Sequence, residues 1–251
     1  MSPSTLLLVR HGQSLGNVAA DAAHSSGAEV VPVPARDPDV ELSALGEAQA
    51  RALGAWLAAQ PVAERPATVW ASPYVRAHRT AEIALRSAGL DLRVRLDERL
   101  RDRELGVLDT LTGRGVDAQQ PFEAQRRRWL GKFYYRPPGG ESWADIALRL
   151  RAFLTDLDVL RAAGAVGEGP VMVVCHDAPI MVLRYLCEEL TESEILAVGR
   201  ERSLRNTSVT RLVRDGGPGT VWTMRDFDAA DHLAELDVPA TAPPGTTDGA
   251  L

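Results

Sequence analysis

Apolar segments of two kinds alternate along the chain, and their spacing predicts its secondary structure. Short, nearly continuous apolar runs predict buried strands, whereas apolar residues that recur every three or four positions predict amphipathic helices. The predicted strands are residues 6–9, 68–71, 90–96, 171–175, 207–214 and 220–225. The predicted helices are residues 14–23, 43–57, 73–85, 141–162 and 177–186. This alternation predicts an α/β fold, a three-layer α/β/α sandwich in which helices cover both faces of a mainly parallel sheet.

Two segments depart from this alternation. Residues 97–140 contain scattered glycines and prolines and are longer than an ordinary connection, so we expect a lid or an inserted helical segment at about residues 107–140. The end of the chain is rich in proline, alanine and threonine, and we expect it to be flexible from about residue 239. Because no repeat and no clear linker interrupts the pattern, residues 1–251 are predicted to form a single domain.

Serines precede three of the predicted helices, where a side-chain oxygen can accept hydrogen bonds from free backbone amides. Ser43 is expected to cap the second helix and Ser72 the third, with Pro73 in its first turn. Glu141 or Ser142 is expected to begin the long helix that comes next.

The composition is that of an ordinary globular protein, since 45% of the 251 residues are hydrophobic and 25% are charged. The net charge of −6 at pH 7 argues against a nucleic-acid-binding protein. No apolar stretch approaches the roughly 20 residues that span a membrane, and residues 1–9 lack the features of a signal peptide. We therefore expect a cytoplasmic protein that binds neither nucleic acid nor a membrane; assembly as a homodimer stays open.

Cys175 and Cys187 are the only cysteines. Two cysteines do not make a disulfide framework, which favours a reducing compartment. They also lack the spacing and the histidine partners of a zinc site, so the sequence predicts no metal and no cofactor. Lys132 is the only lysine, so nearly all cationic side chains are arginines, whose planar fork matches phosphate or carboxylate oxygens.

Polar side chains follow four of the predicted strands at the point where each strand ends. They are Arg10 with His11, Ser72 to Arg76, Asp102, and His176 with Asp177. Because ligands bind outside the carboxyl ends of the strands in an open parallel sheet, we expect these side chains to meet in one site. Such groups are seldom buried without partners, which favours a functional site over a structural role.

The first of these strand ends, Arg10-His11-Gly12, suits a phosphate group. Gly12 permits a sharp turn and a close approach of a ligand to the backbone, and a helix that begins near Ser14 would direct its positive end at an anion. On its own the triplet also fits a strand-to-helix turn with a structural histidine.

Together these residues can perform phosphoryl transfer through a covalent intermediate. An unprotonated nitrogen of His11 would attack phosphorus while Arg10 and Arg76 neutralise the non-bridging oxygens. His176 would donate a hydrogen bond to the phosphoryl group, and a carboxylic acid would protonate the leaving oxygen and later activate water. The arginines supply the charge that a metal ion would otherwise give, so no metal is required.

Four ordered motifs resemble the histidine phosphatase superfamily, which contains cofactor-dependent phosphoglycerate mutases and many phosphatases. The motifs are Arg10-His11-Gly12-Gln13-Ser14 with Asn17, Leu42-Ser43-x-x-Gly46-x-x-Gln49-Ala50, Ser72-Pro73-x-x-Arg76-Ala77-x-x-Thr80-Ala81-Glu82, and His176 after an apolar strand. The resemblance covers about residues 4–227 and implies a phosphoglycerate mutase-like fold.

The resemblance also implies roles for individual residues. It implies that His11 is the phosphorylated nucleophile. The residues that it assigns to phosphate binding are Arg10, Ser14, Asn17, Arg76 and His176. These side chains come from three of the strand ends and from the start of the first predicted helix.

The general acid is the place where the chain departs from the family pattern, which usually has a glutamate four residues before a glycine. Asp102 occupies that position, and its side chain is one methylene shorter. The alternatives are Glu104, which follows closely, and Asp177, because a branch of the family uses the aspartate directly after its second histidine.

Three further residues are candidates for substrate contacts. Arg127 and Arg128, in the arginine run 126–128, would clamp a second phosphate or a carboxylate, as arginines in this region do in related mutases, or would form a solvated helix face. Tyr135 would line the mouth of the site. The histidines expected on the surface or behind the site are His24, His78 and His232.

The sequence therefore predicts a metal-independent phosphatase that hydrolyses a small phosphorylated metabolite through a phosphohistidine. A cofactor-dependent phosphoglycerate mutase is the alternative, although the aromatic residues expected near residues 102–113 are missing. A catalytically silent phosphate-binding module is a third hypothesis, which the complete set of histidines and arginines disfavours.

Overall fold

A six-stranded mixed sheet organises the computed structural model, which describes residues 4–33, 35–201 and 203–243. The strands are β1 (Ser4–Arg10), β2 (Thr68–Ala71), β3 (Val94–Leu96), β4 (Val171–Cys175), β5 (Val209–Arg214) and β6 (Thr223–Ala229). Their order across the sheet is β3-β2-β4-β1-β5-β6. The first four of these are parallel, whereas β5 and β6 run antiparallel to their neighbours. The predicted mainly parallel sheet is confirmed.

Helices cover both faces of this sheet. They are α1 (Leu15–Ser26), α2 (Ala44–Ala59), α3 (Val75–Ala88), α4 (Gly113–Gln119), α5 (Pro121–Tyr134), α6 (Trp143–Ala162), α7 (Asp177–Cys187), α8 (Glu192–Glu201) and α9 (Asp231–Glu235). Successive residues of β1 face opposite sides of the sheet, so Leu6 and Leu8 pack in the core with α6 and α7, and Leu7 and Val9 pack with α2 and α3. The three predicted layers are confirmed.

The helix starts confirm two of the three predicted serine caps. Ser43 accepts a hydrogen bond from the Gly46 amide at 3.0 Å at the start of α2, and Ser142 caps α6. The prediction for Ser72 is wrong, because α3 begins at Val75 with Tyr74 as its N-cap. The Ser72 hydroxyl is instead used in the site described below.

The edge strands differ most from their predictions. β3 is short because it lies at the sheet edge and pairs with Val69–Ala71 of β2. β6 begins at Thr223, later than predicted. Register shifts interrupt its pairing with β5, and its first four residues are exposed, so the strand lacks a regular alternation of apolar and polar residues. Helices α8 and α9 are absent from the prediction. No helix within the described ranges has the length and apolarity needed to cross a membrane.

The segment of residues 97–140 contains α4, α5 and two short 3-10 helices. It therefore has the helices expected of an inserted helical segment. Its own small core consists of Leu108, Val116, Ala124 and Tyr135. Lys132 of this segment lines the candidate site. Its action as a lid stays a prediction, as does the single-domain organisation.

Residues 239 and 241, at the predicted start of the flexible tail, are hydrogen-bonded to the rest of the protein. The Gln49 side-chain amide donates hydrogen bonds of 2.9 Å to the Pro239 carbonyl and to the Thr241 hydroxyl. The Asn206 amide donates to the Thr241 carbonyl at 2.7 Å. The flexibility of the tail from about residue 239 stays a prediction, and residues 244–251 lie outside the described residues.

Candidate active site

The carboxyl ends of β1, β2 and β4 meet at a pocket of about 470 Å³, here called the strand-end pocket. The predicted site residues that line it are Arg10, His11, Ser14, Asn17, Arg76, Asp102 and Asp177. His176 lies directly behind it, with its ring centroid 5.1 Å from that of His11. The structure thus brings together residues that are up to 167 positions apart in the sequence, counted from Arg10 to Asp177.

The turn after β1 requires a glycine because the start of α2 packs against it. A Cβ on Gly12 would lie 2.5 Å from the carbonyl oxygen of Gly46, a distance that no side chain tolerates. The Gly12 amide donates to the Thr80 hydroxyl at 2.9 Å. These contacts fix the backbone on which His11 stands.

Ser14 and Asn17 form a reciprocal cap at the start of α1. The Ser14 hydroxyl accepts from the Asn17 amide, and the Asn17 side-chain oxygen accepts from the Ser14 amide, each at 3.1 Å. Both residues line the strand-end pocket. Their predicted contact with phosphate stays a prediction.

His11 is buried, and its ring is held in one tautomer by a backbone carbonyl. Nδ1 lies 2.7 Å from the Gly12 carbonyl oxygen, which can only accept a hydrogen bond. We therefore assign the proton to Nδ1, which leaves the lone pair on Nε2. Burial lowers the pKa of His11 well below its ordinary value, and the charges of Arg76 and Arg10 lower it further. His11 is therefore neutral near pH 7.

His176 is also buried and neutral. The Ser72 hydroxyl lies 2.9 Å from Nε2 of His176 and accepts a hydrogen bond from the Tyr74 amide. The hydroxyl can therefore donate its own proton to Nε2. This arrangement places the ring proton on Nδ1, which lies 3.4 Å from an Asp102 carboxylate oxygen. Burial lowers the pKa of His176 well below its ordinary value, and Arg76 and Arg10 lower it further.

Two buried guanidinium groups stand beside these imidazoles. Arg10 is 3% exposed and donates to the Leu204 carbonyl, and burial lowers its pKa from the ordinary value. Arg76 is 4% exposed and lies 3.0 Å from a carboxylate oxygen of Asp37 and 3.4 Å from one of Asp102. An arginine pair at a strand-end pocket can neutralise a bound anion.

The three candidate acids lie in different surroundings. Asp102 has one carboxylate oxygen 3.4 Å from both Arg76 and His176, and it lines the strand-end pocket. Asp177 lines the same pocket, and burial raises its pKa above the ordinary value. Glu104 is exposed, accepts from the Tyr74 hydroxyl at 2.8 Å and does not line the pocket.

Two residues near the site were not predicted from the sequence. Asp37 lies in a proline-rich loop without periodic signal, and it lines the pocket as a partner of Arg76. Arg149 lies on α6 and donates to the Asp102 carbonyl at 3.1 Å and to Glu141 at 3.0 Å. These contacts hold the loop that carries Asp102. Nothing in the sequence signals either long-range contact.

The predicted substrate contacts have different outcomes. Arg127 and Arg128 line a second cavity of about 770 Å³ between α1, α4, α5, α6 and α8, here called the distal cavity. Their contact with a second anion stays a prediction. Tyr135 is 1% exposed, donates from its hydroxyl to Glu123 at 2.8 Å and lines neither cavity, so the structure does not place it at the mouth of the site.

The other histidines lie away from the strand-end pocket. His24 is exposed on α1, and His78 is half-buried on α3, 3.5 Å from Glu82. His232 is buried against Trp56 on the far side of α2, so a surface position for it is wrong. Among the described residues, no group of three or more His, Cys, Asp or Glu side chains could hold a metal ion.

An α/β sheet that delivers two neutral imidazoles, two buried guanidinium groups and two aspartates to one pocket defines an enzyme that acts on phosphate groups. A family model described as the histidine phosphatase superfamily (branch 1) matches residues 6–226. The chain belongs to the histidine phosphatase superfamily, as the motifs predicted, and it is an enzyme of the histidine phosphatase type.

Relatives with known names agree with this assignment. The glucosyl-3-phosphoglycerate phosphatase of Mycobacterium tuberculosis is 32% identical over 224 residues, which cover 88% of this chain and 90% of the relative. The 2,3-bisphosphoglycerate-dependent phosphoglycerate mutase of Azorhizobium caulinodans is 33% identical, over 88% of this chain and 97% of the relative. A solved structure of mycobacterial glucosyl-3-phosphoglycerate phosphatase matches with a TM-score of 0.71 at 29% identity, over 90% of this chain and 99% of that one.

Two of the three buried histidines, His11 and His176, make the fold sensitive to acid. Because their pKa values are lowered in the folded state, the unfolded chain binds more protons below about pH 6.5, and stability falls as the pH falls. We expect the free energy of unfolding in urea to drop by about 2 kcal/mol between pH 7 and 5.5 on account of these two residues.

The control for this prediction is the double variant His11→Asn, His176→Asn. The raised pKa values of Asp37 and Asp177 act in the opposite direction and the lowered pKa of His232 acts in the same direction, but all three residues are present in both proteins. The difference between the two curves therefore isolates His11 and His176. Equal slopes for the variant and the natural protein would contradict buried neutral imidazoles.

Proposed function

We propose that this enzyme hydrolyses a small phosphomonoester through a phosphohistidine on His11 and without a metal ion. The observation that supports this most strongly is the state of the His11 ring. Its Nδ1 is engaged by the Gly12 carbonyl and its pKa is lowered, so Nε2 keeps a lone pair in a pocket beside two guanidinium groups. A neutral imidazole is the form that can attack phosphorus.

In the first step the Nε2 lone pair of His11 forms a bond to phosphorus, and the bond from phosphorus to the ester oxygen breaks. Arg10 and Arg76 would neutralise the non-bridging oxygens as charge moves onto them. His176 would donate a hydrogen bond from Nδ1 to the phosphoryl group, since that nitrogen has no hydrogen-bond partner among the described residues. The leaving oxygen takes a proton from a carboxylic acid.

Asp102 is the best-supported acid. Its carboxylate lies between Arg76 and His176, next to the place where the phosphoryl group would be bound. Asp177, with its raised pKa in the same pocket, is the alternative. Glu104 lies outside the pocket and is the least supported of the three.

In the second step the carboxylate produced in the first step accepts a proton from water. The water oxygen forms a bond to phosphorus, and the bond from phosphorus to Nε2 breaks, which returns the lone pair to His11 and releases inorganic phosphate. The sequence of two steps returns every group to its starting state.

A phosphoglycerate mutase is the second candidate, because a relative with that name is 33% identical over 88% of the chain. A mutase uses the same phosphohistidine but returns the phosphoryl group to another hydroxyl. The two functions therefore differ in the product, and a silent binding module would form no phosphohistidine.

The substitution His11→Ala removes the proposed nucleophile. We expect it to lower the turnover of a generic phosphate ester at least about a thousandfold. Brief reaction of the natural protein with a ³²P-labelled ester should trap label in an acid-labile, base-stable bond that peptide mapping places on His11.

The matched control is His78→Ala, which removes a half-buried histidine of α3 that lines no part of the pocket. It should keep activity within about twofold. If the His11→Ala protein still becomes labelled, His11 is not the nucleophile. If the natural protein isomerises phosphoglycerate instead of hydrolysing it, the enzyme is a mutase and not a phosphatase.

The general acid can be identified by the leaving group of the substrate. An alkyl alcohol needs a proton as it leaves, whereas nitrophenolate does not, so Asp102→Asn should lower the rate at which an alkyl phosphate labels His11 by about a hundredfold or more and the rate for nitrophenyl phosphate much less. Asp177→Asn should lower both to a similar, smaller extent. If Asp177→Asn shows the leaving-group dependence instead, Asp177 is the acid.

A further inference from the structure

Tyr74 packs against two side chains of the proposed phosphate site. It is 4% exposed and directly precedes α3. The guanidinium carbon of Arg76 lies 5.0 Å from the centre of its ring, and the His176 ring packs against it in a T-shaped arrangement with the centroids 5.2 Å apart. The Tyr74 amide also donates to the Ser72 hydroxyl. These contacts fix the orientation of the phenol ring.

The hydroxyl of Tyr74 is bonded to the loop that carries Asp102. It donates to a carboxylate oxygen of Glu104 at 2.8 Å, and Glu104 follows Asp102 by two residues. Burial raises the pKa of Tyr74, and the hydrogen bond and the charge of Glu104 raise it further, so the hydroxyl is protonated at neutral pH. Tyr74 and Glu104 do not line the strand-end pocket. The pair can therefore act on the chemistry only through the groups that it holds.

The same loop is held from its other side by residues at the start of α6. The Glu141 amide donates to the Glu104 carbonyl at 2.8 Å, and the Arg149 side chain donates to the Asp102 carbonyl at 3.1 Å. The hydrogen bond from Tyr74 joins the loop to the opposite side, where α3 begins. Asp102 thus stands between two anchors, and the second of them leads to the phosphate-binding side chains.

We propose that the hydrogen bond between Tyr74 and Glu104 is a positioning contact, which holds Asp102 where it can protonate the leaving oxygen. This inference rests on the proposed function and gives Glu104 a role other than that of the acid. Proton transfer requires the acid to lie within hydrogen-bond reach of the leaving oxygen, and a displacement of about 1 Å can lower a rate about a hundredfold. An aspartate side chain is short, so its carboxyl group follows any shift of the loop.

The test measures the rate at which each of two substrates labels His11. Impaired proton donation slows an alkyl phosphate more than nitrophenyl phosphate, whose leaving group needs no proton. Tyr74→Phe removes the hydroxyl and keeps the ring between Arg76 and His176. We expect it to lower the rate for the alkyl phosphate about tenfold and to keep the rate for nitrophenyl phosphate within about twofold. A merely structural role would lower both rates alike.

Two substitutions of Glu104 separate positioning from proton donation. Glu104→Gln keeps an oxygen that accepts from the Tyr74 hydroxyl, so it should keep the rate for the alkyl phosphate within about threefold. Glu104→Ala should lower that rate about as much as Tyr74→Phe does. The double variant Tyr74→Phe, Glu104→Ala should be no slower than either single variant, because both remove the same contact.

The matched control is Tyr134→Phe. This substitution also removes a tyrosine hydroxyl that donates to a glutamate, Glu192, but Tyr134 is exposed on α5 and lines neither cavity. It should leave both rates within about twofold. In a protein that already carries Asp102→Asn, Tyr74→Phe should lower the rate for the alkyl phosphate no further than about twofold, because the acid that it positions is gone.

Four results would overturn the inference while the phosphatase function stands. They are an alkyl phosphate rate that Tyr74→Phe leaves unchanged, an equal loss for both substrates, an equal loss in Glu104→Gln and Glu104→Ala, and a full tenfold loss from Tyr74→Phe in the Asp102→Asn protein. If the natural protein labels His11 with neither substrate, the proposed function fails and the inference fails with it.

Discussion

Two guanidinium groups and two imidazoles share one buried pocket because the imidazoles stay neutral. Four positive charges so close together and so far from water would repel one another strongly. Burial and the arginine charges therefore hold the pKa values of His11 and His176 well below the ordinary value. The same effect that relieves the repulsion leaves His11 with the lone pair that the proposed chemistry needs. Charge balance and nucleophilicity have one physical cause here.

The sheet makes this arrangement possible. Strands β1, β2 and β4 are parallel neighbours, so the residues that follow them emerge at one edge. The cores on both faces fix the strands, and the contact between Gly12 and Gly46 fixes the turn that carries His11. Around this centre the loop with Asp102 is held by Arg149, whose side chain donates to the Asp102 carbonyl.

The parts of the fold that the sequence predicts well are those in which neighbouring residues share one environment. β4 is buried on both faces and reads as an unbroken apolar run that ends on His176. β6 is half exposed and irregularly paired, so its pattern is lost. The site shows the same dependence on local pattern. The strand-end residues could be placed together from the sequence. The contact of Asp37 with Arg76 and the inward packing of Tyr135 could not, because they depend on distant residues that leave no local pattern.

The central claim is that His11 is a neutral imidazole with its proton on Nδ1 and its lone pair on Nε2. ¹⁵N NMR of the histidine-labelled protein, with the His11 signals assigned by their loss in His11→Asn, measures this state directly. At pH 7 we expect one protonated nitrogen, Nδ1, and one unprotonated nitrogen, Nε2, with no change down to below pH 6. An imidazolium at pH 7, or a proton on Nε2, would contradict the account.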